Sequence, residues 1–253
     1  MLGIYFSGTG NTRYCIEQFI KKMDSLAECL SIEDKGLMDK IVMEDLIIIA
    51  YPIYFSNLPK IVRDFIVQNQ SAFADKKVFI IATMGLFSGD GTGCCARILT
   101  KAGAKVIGGI HLKMPDCIGD EKVLKKSIQQ NNLLVKQAEL KISDVVRDIK
   151  NGSIPQEGLG FLYHMAGLFG QRLWFYNKTK EYSKKLKVDV DKCVGCGRCV
   201  KLCPMDNLAL VNKKVSTHGK CTMCYRCINH CPHQALTLLG KKVHEQCYIE
   251  KYL

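Results

Sequence analysis

The sequence has no stretch long and apolar enough to cross a bilayer. Its longest uncharged runs, residues 46–59 and 158–171, fall short of the roughly 20 apolar residues a spanning helix needs. No N-terminal segment combines a charged start, an apolar run and a small-residue cleavage site. The expectation is a cytoplasmic protein. Without an export pattern, the 14 cysteines do not suggest a disulfide framework. The sequence also lacks a Walker loop, a recognised nucleic-acid motif, an output module for a sensor, and a clear acid/base pair beside its glycine-rich loop. A net charge of +12 often accompanies nucleic-acid binding, but without such a motif no nucleic-acid partner is expected.

What is present is concentrated. Eight of the 14 cysteines fall within residues 193–231. They form an internal repeat in which Cys193-Val-Gly-Cys196-Gly-Arg-Cys199-Val-Lys-Leu-Cys203-Pro204 returns as Cys221-Thr-Met-Cys224-Tyr-Arg-Cys227-Ile-Asn-His-Cys231-Pro232. The repeat continues in register, with Leu208 and Leu210 matching Leu236 and Leu238. Three thiolates at Cys-x-x-Cys-x-x-Cys spacing wrap one face of a cubane, and the Cys-Pro that follows sends its thiolate to the other cluster. Cys193, Cys196, Cys199 and Cys231 are thus expected on one [4Fe–4S] cluster. Cys221, Cys224, Cys227 and Cys203 are expected on the second. Zinc is the alternative, but its sites use paired Cys-x-x-Cys or mixed Cys/His sets rather than two quartets with matching Cys-Pro ends. Two units too short to have cores of their own imply folding around something bound. Residues 189–240 resemble the two-cluster bacterial ferredoxins, which implies two low-potential one-electron carriers lying close together.

The first 150 residues alternate strand and helix patterns. Leu2–Phe6, a weaker run near Ala27–Ile32, Leu46–Ala50, Val78–Thr83 and Lys105–Leu112 read as five strands, and Val123–Lys150 as a long closing helix. This predicts an α/β fold with a doubly wound five-stranded parallel sheet, taking ligands at the C-terminal ends of its strands. Between the first strand and helix lies Ser7-Gly8-Thr9-Gly10-Asn11-Thr12. Its glycines allow a tight turn, the helix N-terminus offers unpaired N–H groups, and three hydroxyls gather nearby: a cradle for a phosphate monoester. A dinucleotide fingerprint would need a glycine where Arg13 stands, although Glu33 could serve as its ribose-binding acid.

This loop resembles the phosphate loop of flavodoxins, and the likeness of topology covers roughly residues 1–150. The resemblance implies FMN. Its phosphate would sit at Ser7–Thr12, and its ring between two later strand ends: Pro52, Ile53, Tyr54, Phe55, Ser56 and Asn57 in one, and Met84, Gly85, Leu86, Phe87 and Gly89 in the other. Which of Tyr54, Phe55 and Phe87 touches the ring is not readable from the sequence, and apolar loop packing explains each as well. Flavodoxins are usually acidic, whereas this part is slightly basic. Cys94-Cys95, beside this loop, reads as core or as a redox pair; Cys15 reads as core.

Three segments follow: a flavodoxin-like domain at residues 1–152, an apolar and basic connector at 153–187, and a small α+β ferredoxin-like domain with a short C-terminal tail at 188–253. The aromatic stretch 158–176, with Trp174 near its end, is expected to form the buried seam between the domains, a membrane surface being the lesser alternative. The chain as a whole resembles the flavodoxin–ferredoxin fusion proteins of anaerobic bacteria and archaea. That resemblance implies an electron-transfer iron–sulfur flavoprotein linking two clusters, FMN and an external redox partner. A flavin-dependent reductase of a small substrate is the alternative, and a redox sensor a weaker one. The connector's net charge of +4, with Lys184 and Lys185, suggests docking of an acidic ferredoxin or flavodoxin.

Overall fold

In the computed structural model, residues 1–55, 57–169, 173 and 181–253 are described. The first domain runs β1 (Leu2–Tyr5), α1 (Asn11–Met23), β2 (Glu28–Ser31), α2 (Leu37–Met43), β3 (Leu46–Pro52), α3 (Lys60–Gln68), α4 (Gln70–Phe73), β4 (Lys77–Met84), α5 (Gly91–Lys101), β5 (Lys105–Lys113) and α6 (Ile128–Lys150). The strands form one parallel sheet in the order β2-β1-β3-β4-β5. Successive side chains of a strand point to opposite faces, so each apolar run feeds two cores. Ile47, Ile49 and Tyr51 pack under α2, α3 and α5 with Leu2, Ile4, Val78 and Ile80. Ile48 and Ala50 join Phe79 and Ile81 beneath α1 and α6, where Phe19 stacks on Phe79 at 5.4 Å. The chain reverses direction across the sheet between β1 and β3, and this opens a crevice at their C-terminal ends.

The closing helix begins at Ile128, later than the apolar pattern suggests, because a capping box starts it. Gln130 N–H donates to Ser127 Oγ at 3.2 Å, and Ser127 N–H to Gln130 Oε1 at 2.9 Å. Residues 114–127 are consequently freed to leave the sheet and reach the second domain. After α6 the chain returns along β5, where Gly109 N–H donates to Pro155 O at 2.9 Å. A Cβ on Gly108 would stand 2.6 Å from that same carbonyl oxygen, so only glycine lets the strand come so close.

A short helix, α7 (Phe161–Gly167), follows. Phe161 and Leu162 are 73% and 81% exposed, and Phe169 and Leu173 are also exposed. These residues do not form the expected buried seam. Their helix is held to the start of α5 by a side chain instead: His164 Nδ1 lies 3.0 Å from the buried Asp90 carboxylate, which also takes Arg97 Nη1 at 2.8 Å. Arg172, Trp174, Phe175, Tyr176, Lys178 and Lys180 lie outside the described residues.

The small domain contains β6 (Lys187–Val188), α8 (Arg198–Leu202), β7 (Leu208–Val211), β8 (Lys214–Thr217), α9 (Arg226–Asn229) and β9 (Leu236–Thr237). β6 pairs antiparallel with β9, and β7 with β8 through a turn with positive φ at both Asn212 and Lys213. Its core gathers Leu186, Leu208, Val215, Ile228, Leu236 and Leu238 around the cysteines. The last residues do not stay with it: Ile249 and Tyr252 pack into the layer beneath α1 and α6. Among the described residues no helix is long and apolar enough to cross a membrane.

A buried histidine locks the edge of the large sheet. His111 Nδ1 is 2.8 Å from Ser88 Oγ, and its backbone N–H donates to Glu157, which pairs with Lys141. Burial, seconded by Lys141, pushes the imidazole down to about 4, while Glu157 and Asp90 pull the other way. The folded value lies below the ordinary one of about 6.5, so the unfolded chain binds the extra proton and stability falls as pH drops from about 6.5 toward 4. His111→Gln should flatten that part of the stability curve relative to wild type, measured by denaturant unfolding across pH 4–7.

Candidate functional site

At the C-terminal ends of β1, β3, β4 and β5 lies a cleft of about 220 Å³. Ser7, Gly8, Thr9, Asn11 and Thr12 form its base. Gly10, at φ +91°, turns the chain into α1, whose first turn carries no acidic residue. The free N–H groups and dipole of the 13-residue helix thus face the base without opposition. Ser7 Oγ accepts from Gly10 N–H at 3.1 Å, and the buried Thr12 and Thr83 hydroxyls bond to each other at 2.7 Å. Asn11 Nδ2 donates to Pro115 O at 2.7 Å, while its buried Oδ1 has no partner among the described residues. A phosphate ester with a polyhydroxyl tail fits these needs: the anion meets N–H groups, and a hydroxyl satisfies Asn11.

Two walls are those expected. Pro52, Ile53, Tyr54 and Phe55 supply one; Met84, Gly85, Leu86 and Phe87 supply the other, Leu86 and Phe87 being solvent-exposed at the mouth. Tyr54 and Asn57 close a tight turn through paired backbone bonds of 3.1 and 3.0 Å, with Phe55 at φ +51° between them and stacked on Tyr182 at 5.7 Å. Gly10, Asn57 and Gly89 are not in the cleft wall. Gly10 packs against Ile249, Asn57 faces a separate groove, and Gly89 packs against Gly167. Ser56 lies outside the described residues.

Two further walls escaped the sequence reading. Met114, Pro115, Asp116, Cys117 and Ile118 follow β5, where the rule that ligands gather at strand ends could have found them. The Asp116 carboxyl is raised from its ordinary value, by burial first, against the pull of Ile118 N–H, Lys125 and Lys126. The last wall is Met223, Cys224 and Tyr225, from the cysteine repeat itself. A Cβ on Gly8 would stand 2.1 Å from the Cys224 carbonyl oxygen, so the glycine of the loop is also the contact point of the two domains.

The cysteines surround two small hollows. Cys193, Cys196, Cys199 and Cys231 line the first, and Cys203, Cys221, Cys224 and Cys227 the second. Each triplet uses the same backbone, with positive φ at Gly195 and Gly197 in one and at Met223 and Tyr225 in the other. Backbone N–H groups already point at sulfur: Asn207 to Cys203 at 3.3 Å, Met223 to Cys221 at 3.3 Å, and Ala235 to Cys231 at 3.4 Å. Burial pushes the Cys221 thiol up to about 11 and Cys224 up to about 12. Four thiolates cannot gather in such a place without positive charge among them, which an iron–sulfide core supplies. Among the described residues, no group of three or more His, Cys, Asp or Glu side chains converges to hold a single metal ion.

Residues 2–101 match the model of a flavodoxin domain, and residues 185–237 match that of a 4Fe-4S dicluster domain. The chain matches a flavodoxin–ferredoxin fusion. No curated protein matches it. Among solved structures, the two-electron reduced flavodoxin of Megasphaera elsdenii is 27% identical, with 46% of this chain and 89% of that one covered and a TM-score of 0.41. Flavodoxin 2 from Bacillus cereus is 17% identical over 60% of this chain and 97% of its own, with a TM-score of 0.44. The Fusobacterium nucleatum flavodoxin bound to flavin mononucleotide is 17% identical over 60% and 98%, with a TM-score of 0.42.

The flavodoxin domain and the dicluster domain meet through a polar seam in residues 116–121. Asp120, 1% exposed, accepts from the N–H groups of Leu238, Leu239 and Gly240 at 2.6, 3.0 and 3.1 Å and from Tyr225 Oη at 2.9 Å. Asn229 Nδ2 donates to Cys117 O at 2.8 Å, and Gly119 O accepts from His244 and Glu245. The tail then returns to the phosphate loop, with Ile249 N–H donating to Thr9 O at 3.0 Å. Asp120→Ala would leave the buried Leu238 N–H and the half-buried Leu239 and Gly240 N–H groups without their acceptor, the buried one at about 1–3 kcal/mol. It should cut the midpoint of denaturant unfolding and slow cluster-to-flavin electron transfer at least tenfold in single-turnover measurements. Phe161→Ala, on the exposed face of α7, should change neither.

Proposed function

We propose that this protein is an electron carrier in which FMN in the cleft and two [4Fe–4S] clusters in the cysteine hollows exchange electrons with an external redox partner. The observation that carries this reading is Cys224, which lines both the cleft and the second hollow. A cluster held by Cys221, Cys224, Cys227 and Cys203 would therefore share a wall with a flavin held in the cleft. When bound, FMN supplies interconversion of one- and two-electron transfer, which links single-electron clusters to paired deliveries. The chain's own part is positional. The α1 N-terminus and Ser7–Thr12 hold the phosphate; Asn11 takes a hydroxyl; Tyr54, Gly85 and Met114–Ile118 exclude water from the ring; and the Asp120 seam fixes Cys224 against it.

The alternative reading, reduction of a small substrate at the flavin, is favoured by Asp116. Its carboxyl lies in the cleft, with Oδ2 2.7 Å from where a Cβ on Gly85 would be, and burial keeps it disposed to hold a proton. Such a group could donate to a reduced substrate. The carrier reading is preferred because the dicluster domain itself closes one side of the cleft.

For the partner, Lys184 lines a groove with Lys60, Arg63 and Arg97, and Cys221–Met223 form part of its wall. Positive charge beside the second quartet suits an acidic ferredoxin or flavodoxin.

Anaerobically prepared protein should contain about eight iron, eight sulfide and one FMN per chain, following from two cubanes. Cys203→Ser should damage the cluster held by Cys221, Cys224 and Cys227 while sparing the other, as read by electron paramagnetic resonance. Loss of the cluster held by Cys193, Cys196 and Cys199 instead would refute the cross-ligation. Lys184→Glu with Lys185→Glu should slow reduction by an acidic ferredoxin at low salt and flatten its ionic-strength dependence, since such steering is screened within about 10 Å at 0.1 M salt.

A further inference from the structure

Glu33 and Arg226 are 193 residues apart in sequence and meet across the two domains. Arg226 Nη1 and Nη2 reach the two Glu33 carboxylate oxygens at 2.8 and 2.7 Å, a bidentate pair. Nη2 also donates to Ser7 O, in the phosphate loop, at 2.8 Å, and Nη1 to Leu202 O, at the end of α8, at 3.3 Å. The guanidinium lies 5.7 Å from the centroid of the Phe6 ring. Its side chain is 17% exposed and that of Glu33 29%, so both charges are largely out of water and weakly screened. Arg226 stands in sequence between Cys224 and Cys227 and, with them, lines the second hollow. Neither Arg226 nor Glu33 lines the first hollow.

This arrangement is more than a tether, because its charge is placed between two sites that change charge. The cation beside the second quartet favours an added electron there. Glu33 offsets part of that cation. An anion in the phosphate loop, whose Ser7 carbonyl already holds Nη2, offsets more of it.

Building on the FMN and iron–sulfur reading above, we propose that the Glu33–Arg226 pair makes the reduction potential of the second cluster depend on whether a phosphate ester occupies the Ser7–Thr12 loop, with Arg226 as the positioning residue that couples the two sites. Bound phosphate makes the second cluster harder to reduce and leaves the first unaffected. Reciprocity then requires that reducing the second cluster weakens binding of the phosphate by the same factor, about 5–150-fold for couplings of ordinary size. One electron enters or leaves the cluster, and no bond forms or breaks.

The test uses the full chain, reconstituted anaerobically and assayed first for iron, sulfide and flavin. Folded protein that takes up no clusters overturns the iron–sulfur reading and this proposal with it. In loaded protein, redox titration followed by electron paramagnetic resonance gives each cluster's potential, with Cys203→Ser identifying the second cluster's signal. With FMN bound, the second cluster should titrate at a lower potential than with riboflavin bound, and the first should not move. Glu33→Gln should raise the second cluster's potential alone. Arg226→Leu should abolish the difference between the two flavins, and Arg226→Lys, which keeps the charge, should retain part of it. If the leucine variant does not fold, Glu33→Gln and the flavin comparison decide. Equal potentials for the second cluster with FMN and riboflavin, or a Glu33→Gln shift common to both clusters, would overturn the proposal.

Discussion

The arrangement of this protein depends on one buried carboxylate. Asp120 belongs to the loop after the last strand of the flavodoxin sheet, yet the hydrogen bonds it accepts come from the dicluster domain. Three successive backbone N–H groups, at Leu238, Leu239 and Gly240, turn toward a single oxygen, and Tyr225 bonds to the other. The contact is close enough that a Cβ on Gly240 would overlap the Asp120 carbonyl oxygen. Because Tyr225 immediately follows Cys224, fixing its ring also fixes Cys224 between the cleft and the second cysteine hollow. A polar seam suits this task better than an apolar one, since hydrogen bonds define direction whereas apolar contacts tolerate sliding.

The second constraint is electrostatic. Burial raises the Cys221 and Cys224 thiols, and the Ser7–Thr12 loop presents N–H groups without an acidic residue in the first helical turn. Each site is thus shaped for charge of a definite sign: positive iron among the thiolates, a negative ester at the helix end. Arg226 lies between the two, bonded to the loop at Ser7 and to Glu33, and sharing a hollow with Cys203, Cys221, Cys224 and Cys227.

Much of this was legible in the residues themselves. The apolar strand runs, read with their alternation, predict five strands, and they form a parallel sheet in the order β2-β1-β3-β4-β5. The Ser7–Thr12 loop lies at the base of the cleft, and the two cysteine quartets gather as the repeat implies. These readings rest on short-range chemistry: periodicity, turn residues and ligand spacing are properties of neighbours in the chain. The seam was misjudged for the same reason. Residues 158–176 are apolar and aromatic, and composition alone recommends burial, yet Phe161 and Leu162 face solvent.

By itself, then, the sequence determined the secondary-structure pattern, the phosphate-binding turn and the division of the cysteines into quartets, because each is encoded within a few consecutive residues. Only the tertiary structure decided that Asp120 carries the seam, that Met114–Ile118 wall the cleft, that Cys224 borders both the cleft and the second hollow, and that Glu33 meets Arg226. Each of these joins groups more than 100 residues apart or places one residue against a site on another domain. The contacts of Asp120, Cys224 and the Glu33–Arg226 pair follow from the relative placement of whole domains, which no local pattern in the chain records.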